Sequence, residues 1–403
     1  RTWKGNPFWF KLKNFWKKRD KFAGKDKATT TDSEKVFDPE QEDYDDSVDV
    51  LKQLSAGYEI PRAYAIQPFN LVLEVQGSVE EINRLAPKEK PVALYQWSGD
   101  CQPFEEAIKM TRDLKLPNIN GGDTRFDPEF LSYSWVMPLG RQVGQYQQIY
   151  ASSSNENTYT NLWRGKYYGF NLLPQTLKNT ETPLRIKPLN VYYHMYSGEK
   201  LASLNALKQN LEYIRSCKMI PITTSRFTEI VEGFYTTKVI PIKDRMWRFE
   251  DRGKLQTIRF DRCTLCSVDF SRSEGVVGEH HFQGSLYVYL DESHPNSIVA
   301  LKESSTVIEE AQEEVPYLIE SRWRVWNLQR ESFGSFRFLS QGYGKGEMRW
   351  KIPTDGNFEV IWKDSENTQG SLIVNSQNCE LKFVIDQNAI NPIEVTIQQK
   401  NEI

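Results

Sequence analysis

Apolar and polar positions follow two different patterns along the chain, and the change separates two regions. Up to about residue 243, segments with apolar residues at helical spacing alternate with short apolar segments that favour extended backbone. The predicted helices cover residues 68–86, 104–114, 199–217 and 227–235. The predicted strands cover residues 91–97, 118–120, 135–139, 147–151, 187–194 and 220–224. Strands that alternate with helices and short polar loops predict a largely parallel α/β sheet or barrel.

After about residue 244 the pattern becomes one of short strands separated by Gly, Asn, Asp and Pro. The predicted strands cover residues 255–260, 285–290, 298–302, 335–339, 347–352, 357–362, 370–374, 381–385 and 392–398. One helix is predicted at 318–331. Turn signals at this spacing indicate an all-β sandwich-like domain. The domain boundary is therefore predicted near residues 242–245, which gives domains at 68–243 and 244–403.

Residues 1–67 differ from both regions in charge. Residues 1–27 carry ten Lys and Arg against two acids, interleaved with aromatic residues, whereas residues 32–49 carry nine acids and one lysine. A basic aromatic segment can bind RNA or a membrane surface, but neighbouring blocks of opposite charge can also offset each other within an insertion. We expect the insertion. The net charge of −3 gives no case for nucleic-acid binding, and no apolar run reaches the ~20 residues that cross a bilayer.

Aromatic residues make up 13% of the chain, including 11 Trp and 19 Tyr. Such residues fill protein cores, and Trp and Tyr also suit flat amphipathic ligands such as sugars. The five cysteines are scattered, and Cys263 and Cys266 are the one close pair. No second pair with zinc-site spacing follows, so a redox pair, a disulfide and two buried thiols all remain open for them.

His194 is the first histidine of the chain and stands out by its position. It is predicted to end a strand, just before the turn at Ser197 and Gly198 that leads into a helix. Catalytic groups in α/β folds usually occupy this place at the carboxyl end of a strand. The alternative is a partly buried histidine that holds a backbone carbonyl.

Six stretches that occur in order carry a resemblance to one family. They are Gln96–Cys101, Asn118–Thr124, Asn155–Trp163, Gly165–Phe170, Leu184–Asn190 and Tyr192–Ser197. Together, from about Phe69 to about Leu290, they resemble the deacetylase region of PelA-type proteins, which process the exopolysaccharide Pel in Gram-negative bacteria. The resemblance implies a NodB-like polysaccharide deacetylase, part of a deformed (β/α) barrel followed by the β-rich domain.

Such enzymes bind one divalent metal, for which zinc is the expected ion, through an aspartate and two histidines. The metal activates water for attack on an N-acetyl group, and a later histidine at a strand end protonates the departing amine. By the resemblance, His194 is that general acid. The substrate class is an N-acetylated hexosamine polysaccharide, export machinery is a possible partner, and the expected location is periplasmic or secreted.

The chain departs from the family pattern at the metal. Nothing before Trp97 matches the metal-binding aspartates, and no His-x-x-x-His pair precedes His194. We therefore expect the metal ligands to lie upstream of Arg1, and the chain to be a fragment without deacetylase activity of its own. The pair His280 and His281 has no further ligand at zinc-site spacing and is predicted to face solvent.

The remaining candidate residues each have a structural alternative. Asp100 is predicted to orient His194, or else to cap the helix that follows. Contacts to sugar hydroxyls are predicted for polar residues that turn or loop chemistry also explains; these are Asn118, Asn120, Asp123, Asn155, Glu156 and Asn157. Sugar stacking is predicted for aromatic residues that core packing also explains; these are Trp97, Trp163, Tyr193 and Tyr196.

Two functions of other classes compete with deacetylation. The first is a non-catalytic protein that binds a glycan or serves as an export scaffold. The second is a glycoside hydrolase that uses a carboxylate pair such as Asp100 and Glu156. Metal-binding motifs in the coding sequence upstream of Arg1 would distinguish a deacetylase from the first. An acetate-release assay with and without chelator distinguishes it from the second.

Overall fold

The computed structural model describes residues 69–99, 101–180, 185, 187–303, 315–332, 334–365 and 368–400. The predicted segment 1–67 and the predicted site residue Asp100 lie outside these ranges. Contacts divide the chain into Arg1–Leu85 with Ser132–Ser134, and Ala86–Leu131 with Trp135–Ile403. The predicted boundary near residue 243 stays a prediction.

The helices are short, apart from two of 16 and 13 residues. The α-helices are α1 Ser78–Leu85, α2 Glu105–Asp113, α3 Glu156–Tyr159, α4 Leu173–Asn179, α5 Leu201–Ser216 and α6 Thr224–Thr236. A π-helix spans Leu73–Gly77, and 3₁₀ turns span Tyr133–Trp135, Gly169–Leu172 and Met195–Gly198. These bounds confirm all four predicted helices before residue 243, with ends shifted by a few residues.

The first unit is described only at its C-terminal helix and at residues 132–134. Asn70 accepts hydrogen bonds from the backbone N–H groups of Val72 and Leu73 at its start. The π-helix continues into α1, and the Ser78 hydroxyl donates to the Glu74 carbonyl at 2.6 Å. Acidic residues in the first turn of α1 and Arg84 in its last turn complement the helix dipole.

Within the second unit, the first sheet contains four strands in the order β1-β2-β4-β3. They are β1 Tyr95–Gln96, β2 Asn118–Ile119, β3 Gly140–Val143 and β4 Tyr146–Ile149. β1, β2 and β4 run parallel, and β3 pairs with β4 antiparallel as a hairpin. Phe227 and Val231 of α6 pack against Ile119 and Ile149 of this sheet. The β/α alternation is confirmed here, whereas closure into a barrel stays a prediction.

Three strand predictions in this region are wrong. The strand predicted at 135–139 begins later, at Gly140, where the hairpin with β4 supplies its partner. Residues 187–194 and 220–224 belong to no strand. Pro188 and Pro221 remove a backbone donor from each segment, and Leu189 and Val191 pack on the core formed by α4 and α5 instead. His194 thus ends an extended segment, not a strand.

The rest of the second unit is built of β-strands in three sheets, which confirms the predicted β-rich region. The strands are β5 Lys238–Lys243, β6 Met246–Glu250, β7 Thr257–Phe260, β8 Cys266–Val268, β9 Val276–Phe282, β10 Ser285–Leu290, β11 Ser297–Glu303, β12 Tyr317–Ser321, β13 Arg324–Ser332, β14 Ser335–Gly342, β15 Gly346–Lys351, β16 Asn357–Lys363, β17 Gln369–Asn375, β18 Glu380–Ile385 and β19 Ala389–Lys400. The sheet orders are β18-β15-β12-β9-β10-β7, β5-β6-β11-β8 and β13-β14-β19-β16-β17.

The six-stranded sheet takes part in two apolar cores. Val277 belongs to the core shared with the five-stranded sheet, around Phe336 and Trp350. Its neighbour Val276 belongs to the core shared with the sheet of β6, β8 and β11. Successive residues of a strand point to opposite faces, so this sheet lies as a layer between the two others. Face-to-face packing of this kind is that of a sandwich.

The helix predicted at 318–331 is wrong, because β12 and β13 occupy these residues. The turn between them depends on Ser321, whose hydroxyl accepts from the Trp323 backbone N–H at 3.1 Å and donates to the Trp323 carbonyl at 2.6 Å. Trp323 packs where Gly342 and Gly346 leave space for its ring. The chain turns there without Gly or Pro, which is why the sequence pattern did not mark it.

Two further sequence questions find an answer. Cys263 and Cys266 are paired as a disulfide, with their Cα atoms 5.2 Å apart. Among the described residues, no helix combines the length and the apolar composition needed to span a bilayer.

Candidate functional site

The parallel strands bring three predicted stretches to one edge of the first sheet. Trp97 follows β1, Asn120 follows β2, and the residues from Tyr150 onward follow β4. The strands are in register, since Gln96 lies beside Ile119 and Ile119 beside Ile149. The carboxyl ends of parallel strands form the usual ligand edge of an α/β sheet.

Asn118 and Trp97 support this edge from within. The Trp97 indole N–H donates to Asn118 Oδ1 at 3.0 Å, and Asn118 Nδ2 donates to the Gln147 carbonyl at 3.0 Å. Asn118 is fully buried and Trp97 nearly so. Their polar groups are occupied inside the fold, so both residues hold strands together, and the predicted direct contact with sugar finds no open surface here.

Asn120 links the sheet to the segment that carries His194. Its amide donates to the Trp97 carbonyl at 2.5 Å and to the Tyr192 hydroxyl at 3.1 Å. Its φ of +108° is unfavourable for a residue with a side chain, and Gly121 and Gly122 continue the turn at positive φ. Backbone strain of this kind persists where the surroundings hold it, and it occurs often at functional sites.

Glu156 is the partner of His194. It begins α3, where Asn155 caps the helix by accepting from the Asn157 backbone N–H at 2.9 Å. Glu156 Oε1 lies 2.8 Å from His194 Nδ1 and accepts from the His194 backbone N–H at 3.0 Å. The carboxylate is 1% exposed, and the side chain of His194 is 36% exposed. A buried carboxylate thus orients a half-open imidazole.

The contact also fixes the proton on the imidazole. A carboxylate only accepts, so His194 Nδ1 carries a hydrogen and Nε2 is the nitrogen left for acid–base chemistry. Glu156 Oε2 is buried and has no hydrogen-bond partner among the described residues. Glu156 therefore binds the imidazole through Oε1.

A row of aromatic rings lines His194. The imidazole stacks on Tyr196 at 5.0 Å with an interplanar angle of 6°, and the Tyr192 ring lies 5.5 Å from it. Trp163 contacts Tyr196 edge-on at 5.1 Å. Burial raises the pKa of the Tyr196 phenol, although its hydrogen bond to Asn157 Oδ1 at 2.9 Å acts in the opposite direction. Tyr196 therefore stays neutral and held in place.

Trp163 is presented by an unusual turn. Asn161, Leu162 and Trp163 all have positive φ, between 52° and 65°. Left-handed backbone costs about 1–2 kcal/mol for each residue that carries a side chain. The turn is closed by the Leu162 N–H, which donates to the Asn157 carbonyl at 2.8 Å, and by the Trp163 N–H, which donates to Thr160 Oγ1 at 3.1 Å. The fold thus tolerates backbone strain in the turn that places this indole beside Tyr196.

The structure places the predicted site residues differently with respect to His194. Five come together around the imidazole, namely His194, Glu156, Asn157, Trp163 and Tyr196. Asn155, Asn118, Asn120 and Trp97 position them, and half-buried Asp123 follows at the same edge. Tyr193 is 40% exposed and lies outside the row of rings. Asp100 lies outside the described residues, so its predicted contact with His194 stays a prediction.

Sequence reasoning missed two features of the site. Tyr192 was not among the candidates, although alternation in an extended segment places residues 192 and 194 on the same face. Glu156 was expected to reach a glycan, but it is buried against His194. The helix-capping pattern at Asn155 predicts where α3 begins, yet only the tertiary fold shows which carboxylate meets the histidine.

The metal implied by the resemblance was tested against the donor groups present. Among the described residues, no group of three or more His, Cys, Asp or Glu side chains could hold a metal ion. All four histidines of the chain fall within the described ranges. The described residues therefore do not fit the expected Asp-His-His ligand set, and we derive no step through a metal.

No protein-family model matches this chain, and no curated protein matches it either. Function must therefore be argued from the site itself.

Proposed function

We propose that this chain carries the general-acid part of a polysaccharide N-deacetylase acting on N-acetylated hexosamines. The observation that supports the proposal most is the pairing of His194 with the buried carboxylate of Glu156 at the carboxyl edge of the sheet. Amide cleavage requires a proton for a poor leaving group, the amine nitrogen. His194 Nε2 is the group proposed to give it.

The surroundings suit a sugar substrate. Tyr196 and Tyr192 lie next to the imidazole and Trp163 packs against Tyr196, and sugar rings bind against aromatic faces of this kind. A NodB-like barrel, a PelA-type relationship and a periplasmic or secreted location belong to the same proposal, and they rest on the ordered motifs from Gln96 to Ser197. The expected divalent metal would have to be held by groups other than the described ones.

The glycoside hydrolase alternative is weaker, because Glu156 Oε1 already binds His194 and its carboxylate is almost fully buried. A glycan-binding protein without chemistry could use the same rings. These possibilities differ in what they predict for the histidine: a general acid controls turnover, whereas a binding residue controls affinity.

The test is acetate release from an N-acetylglucosamine oligosaccharide by the full-length gene product, with and without EDTA. We expect acetate release that stops with EDTA and returns with zinc. His194→Ala should lower kcat about 100-fold or more and leave KM within a few-fold, since general acid–base catalysis contributes about 10²–10⁴. Met195→Ala is the matched control, because Met195 is adjacent to His194 in the chain and its own side chain is 88% exposed.

Two outcomes would overturn the proposal. Unchanged turnover in His194→Ala removes the general acid. Oligosaccharide binding without acetate release, in protein loaded with zinc, favours the glycan-binding alternative.

A further inference from the structure

A cavity of about 1160 Å³ lies among the β-layers and shares no residue with the His194 site. The loop 218–223 between α5 and α6 lines one side, and strands β12, β15 and β18 line the other. Lys218 Nζ bridges the two sides by an ion pair with Glu320 at 2.6 Å. Ligand sites of proteins are typically concave and of about 300–1,000 Å³, so the size suffices for a short peptide or an oligosaccharide.

Cationic side chains dominate the lining. Seven Lys and Arg residues face three glutamates there: Lys218, Arg226, Lys254, Arg322, Arg324, Arg349 and Lys382 against Glu229, Glu320 and Glu347. Glu292 and Glu380 pair with several of these cations from just outside the lining. Counting them, cations still outnumber carboxylates. The whole chain has a net charge of −3, so the surplus is a local feature.

Arg322 and Arg349 have unused hydrogen-bonding capacity. The Nε atoms of both are buried and have no hydrogen-bond partner among the described residues. Arg349 lies at 3.5 Å from Glu320 and 3.9 Å from Glu380, which are loose ion pairs. It also stands directly opposite Lys382 on the neighbouring strand, an unfavourable pairing of like charges. An anion in the cavity would offset this pairing of like charges.

Part of the lining is aliphatic and exposed. Met219, Ile220 and Ile222 are each at least 40% exposed, and so is Val384. Aliphatic side chains suit the apolar residues of a peptide better than sugar rings, which prefer exposed aromatic faces. A hexosamine polymer with free amines would in addition be repelled by the arginines.

We propose that this cavity binds an acidic peptide segment of a partner protein. Arg322 and Arg349 take its carboxylates, as guanidinium groups match carboxylate geometry, and the loop at Met219–Ile222 covers its apolar side chains. The site is independent of the deacetylase proposal, since it uses none of the residues around His194.

The experiment is fluorescence anisotropy on the full chain with a labelled dodecapeptide of alternating glutamate and leucine. We expect binding that weakens with salt, and at least tenfold weaker binding for the same peptide with glutamine in place of glutamate. Arg322→Gln and Ile220→Ser should each weaken binding by about tenfold. Lys363→Gln and Ile373→Ser are matched controls, because both lie on the five-stranded sheet outside the cavity.

Three results would overturn the proposal: no binding of the glutamate peptide, equal binding of the glutamine peptide, or equal losses in the two control variants. Polygalacturonate serves as a competitor. If polygalacturonate displaces the labelled peptide at a lower concentration than the unlabelled peptide does, the cavity is a site for anionic glycans instead. Circular dichroism of each variant excludes loss of folding as the cause. Lys382→Gln, at an exposed strand position, gives a second test of whether cationic charge in the cavity binds the peptide.

Discussion

Replacing Glu156 by glutamine tests the His194–Glu156 pair most directly. Glu156→Gln keeps the size and one carbonyl oxygen, so a hydrogen bond to His194 Nδ1 can remain. It removes the negative charge of the hydrogen-bond acceptor. In the present fold Oε1 accepts from both His194 N–H groups, at 2.8 and 3.0 Å, while Oε2 has no partner among the described residues.

The expected magnitude follows from these contacts. A hydrogen bond to a charged group contributes about 1.5–3 kcal/mol, against about 1 kcal/mol for a neutral one. The charged acceptor is therefore worth about 0.5–2 kcal/mol more than the neutral one that glutamine offers. With tenfold in rate for each ~1.4 kcal/mol, kcat of the full-length enzyme should fall about twofold to thirtyfold, and KM should change little. The glutamine NH₂ would also be a buried donor without an acceptor, which costs a further ~1–3 kcal/mol of folding stability.

A spectroscopic measurement separates this role from a merely structural one. The chain has four histidines, so ¹⁵N-histidine labelling gives a spectrum simple enough to assign. We expect a slowly exchanging, downfield imidazole N–H signal for His194 in the native protein, because its Nδ1–H donates to a buried carboxylate. The signal should move upfield or vanish in Glu156→Gln and stay in Glu199→Gln, whose carboxylate is exposed nearby.

The reasoning would be refuted by a Glu156→Gln variant that keeps both the signal and kcat. A loss of kcat with an unchanged signal would also contradict it, since the carboxylate would then act by some route other than the histidine.

Three further predictions concern other parts of the fold. Gly122→Ala should lower the free energy of unfolding in urea by more than about 2 kcal/mol, because φ is +72° and the new Cβ would lie 2.2 Å from the Tyr150 ring. Gly198→Ala is the control: the space around Gly198 is open, so stability should change by less than about 1 kcal/mol. Burial alone would raise the pKa of Glu292, but hydrogen bonds from its cationic neighbours outweigh burial and lower it to about 2. Its contribution to stability is therefore present above pH 4.5 and lost as pH falls through about 2, so Glu292→Gln should approach the native protein in stability below pH 2 but not at pH 7. Trp163→Ala should weaken oligosaccharide binding about tenfold, measured by calorimetry. Tyr168→Ala is the control, because its ring is 60% exposed; a similar loss there would contradict a specific stacking role for Trp163.

Local patterns in the sequence predicted the elements whose formation is decided locally. The helices at Leu201–Ser216 and Thr224–Thr236 were predicted to within a few residues, because their apolar faces recur at helical spacing and Thr223 caps the second. The predicted helix at 318–331 failed because the β12–β13 turn depends on one serine hydroxyl and on space left by two distant glycines. That information lies 20 residues away in the chain and cannot be seen in a local window.

Local sequence patterns were also insufficient to predict how the candidate site is assembled. A histidine before a turn was visible in the sequence, whereas Asn155–Asn157 were expected in a loop almost 40 residues away. Asp100 was the predicted carboxylate partner of the histidine, and Glu156 was expected to contact a glycan. Glu156 meets the histidine because the short helix α3, which Asn155 caps and the strained turn at Trp163 follows, places its carboxylate there. This turn places Trp163 against Tyr196, so the strain that positions the indole and the cap that positions the carboxylate act on opposite ends of one four-residue helix. A change that relaxes the turn should therefore disturb the carboxylate as well, and binding and turnover should fall together.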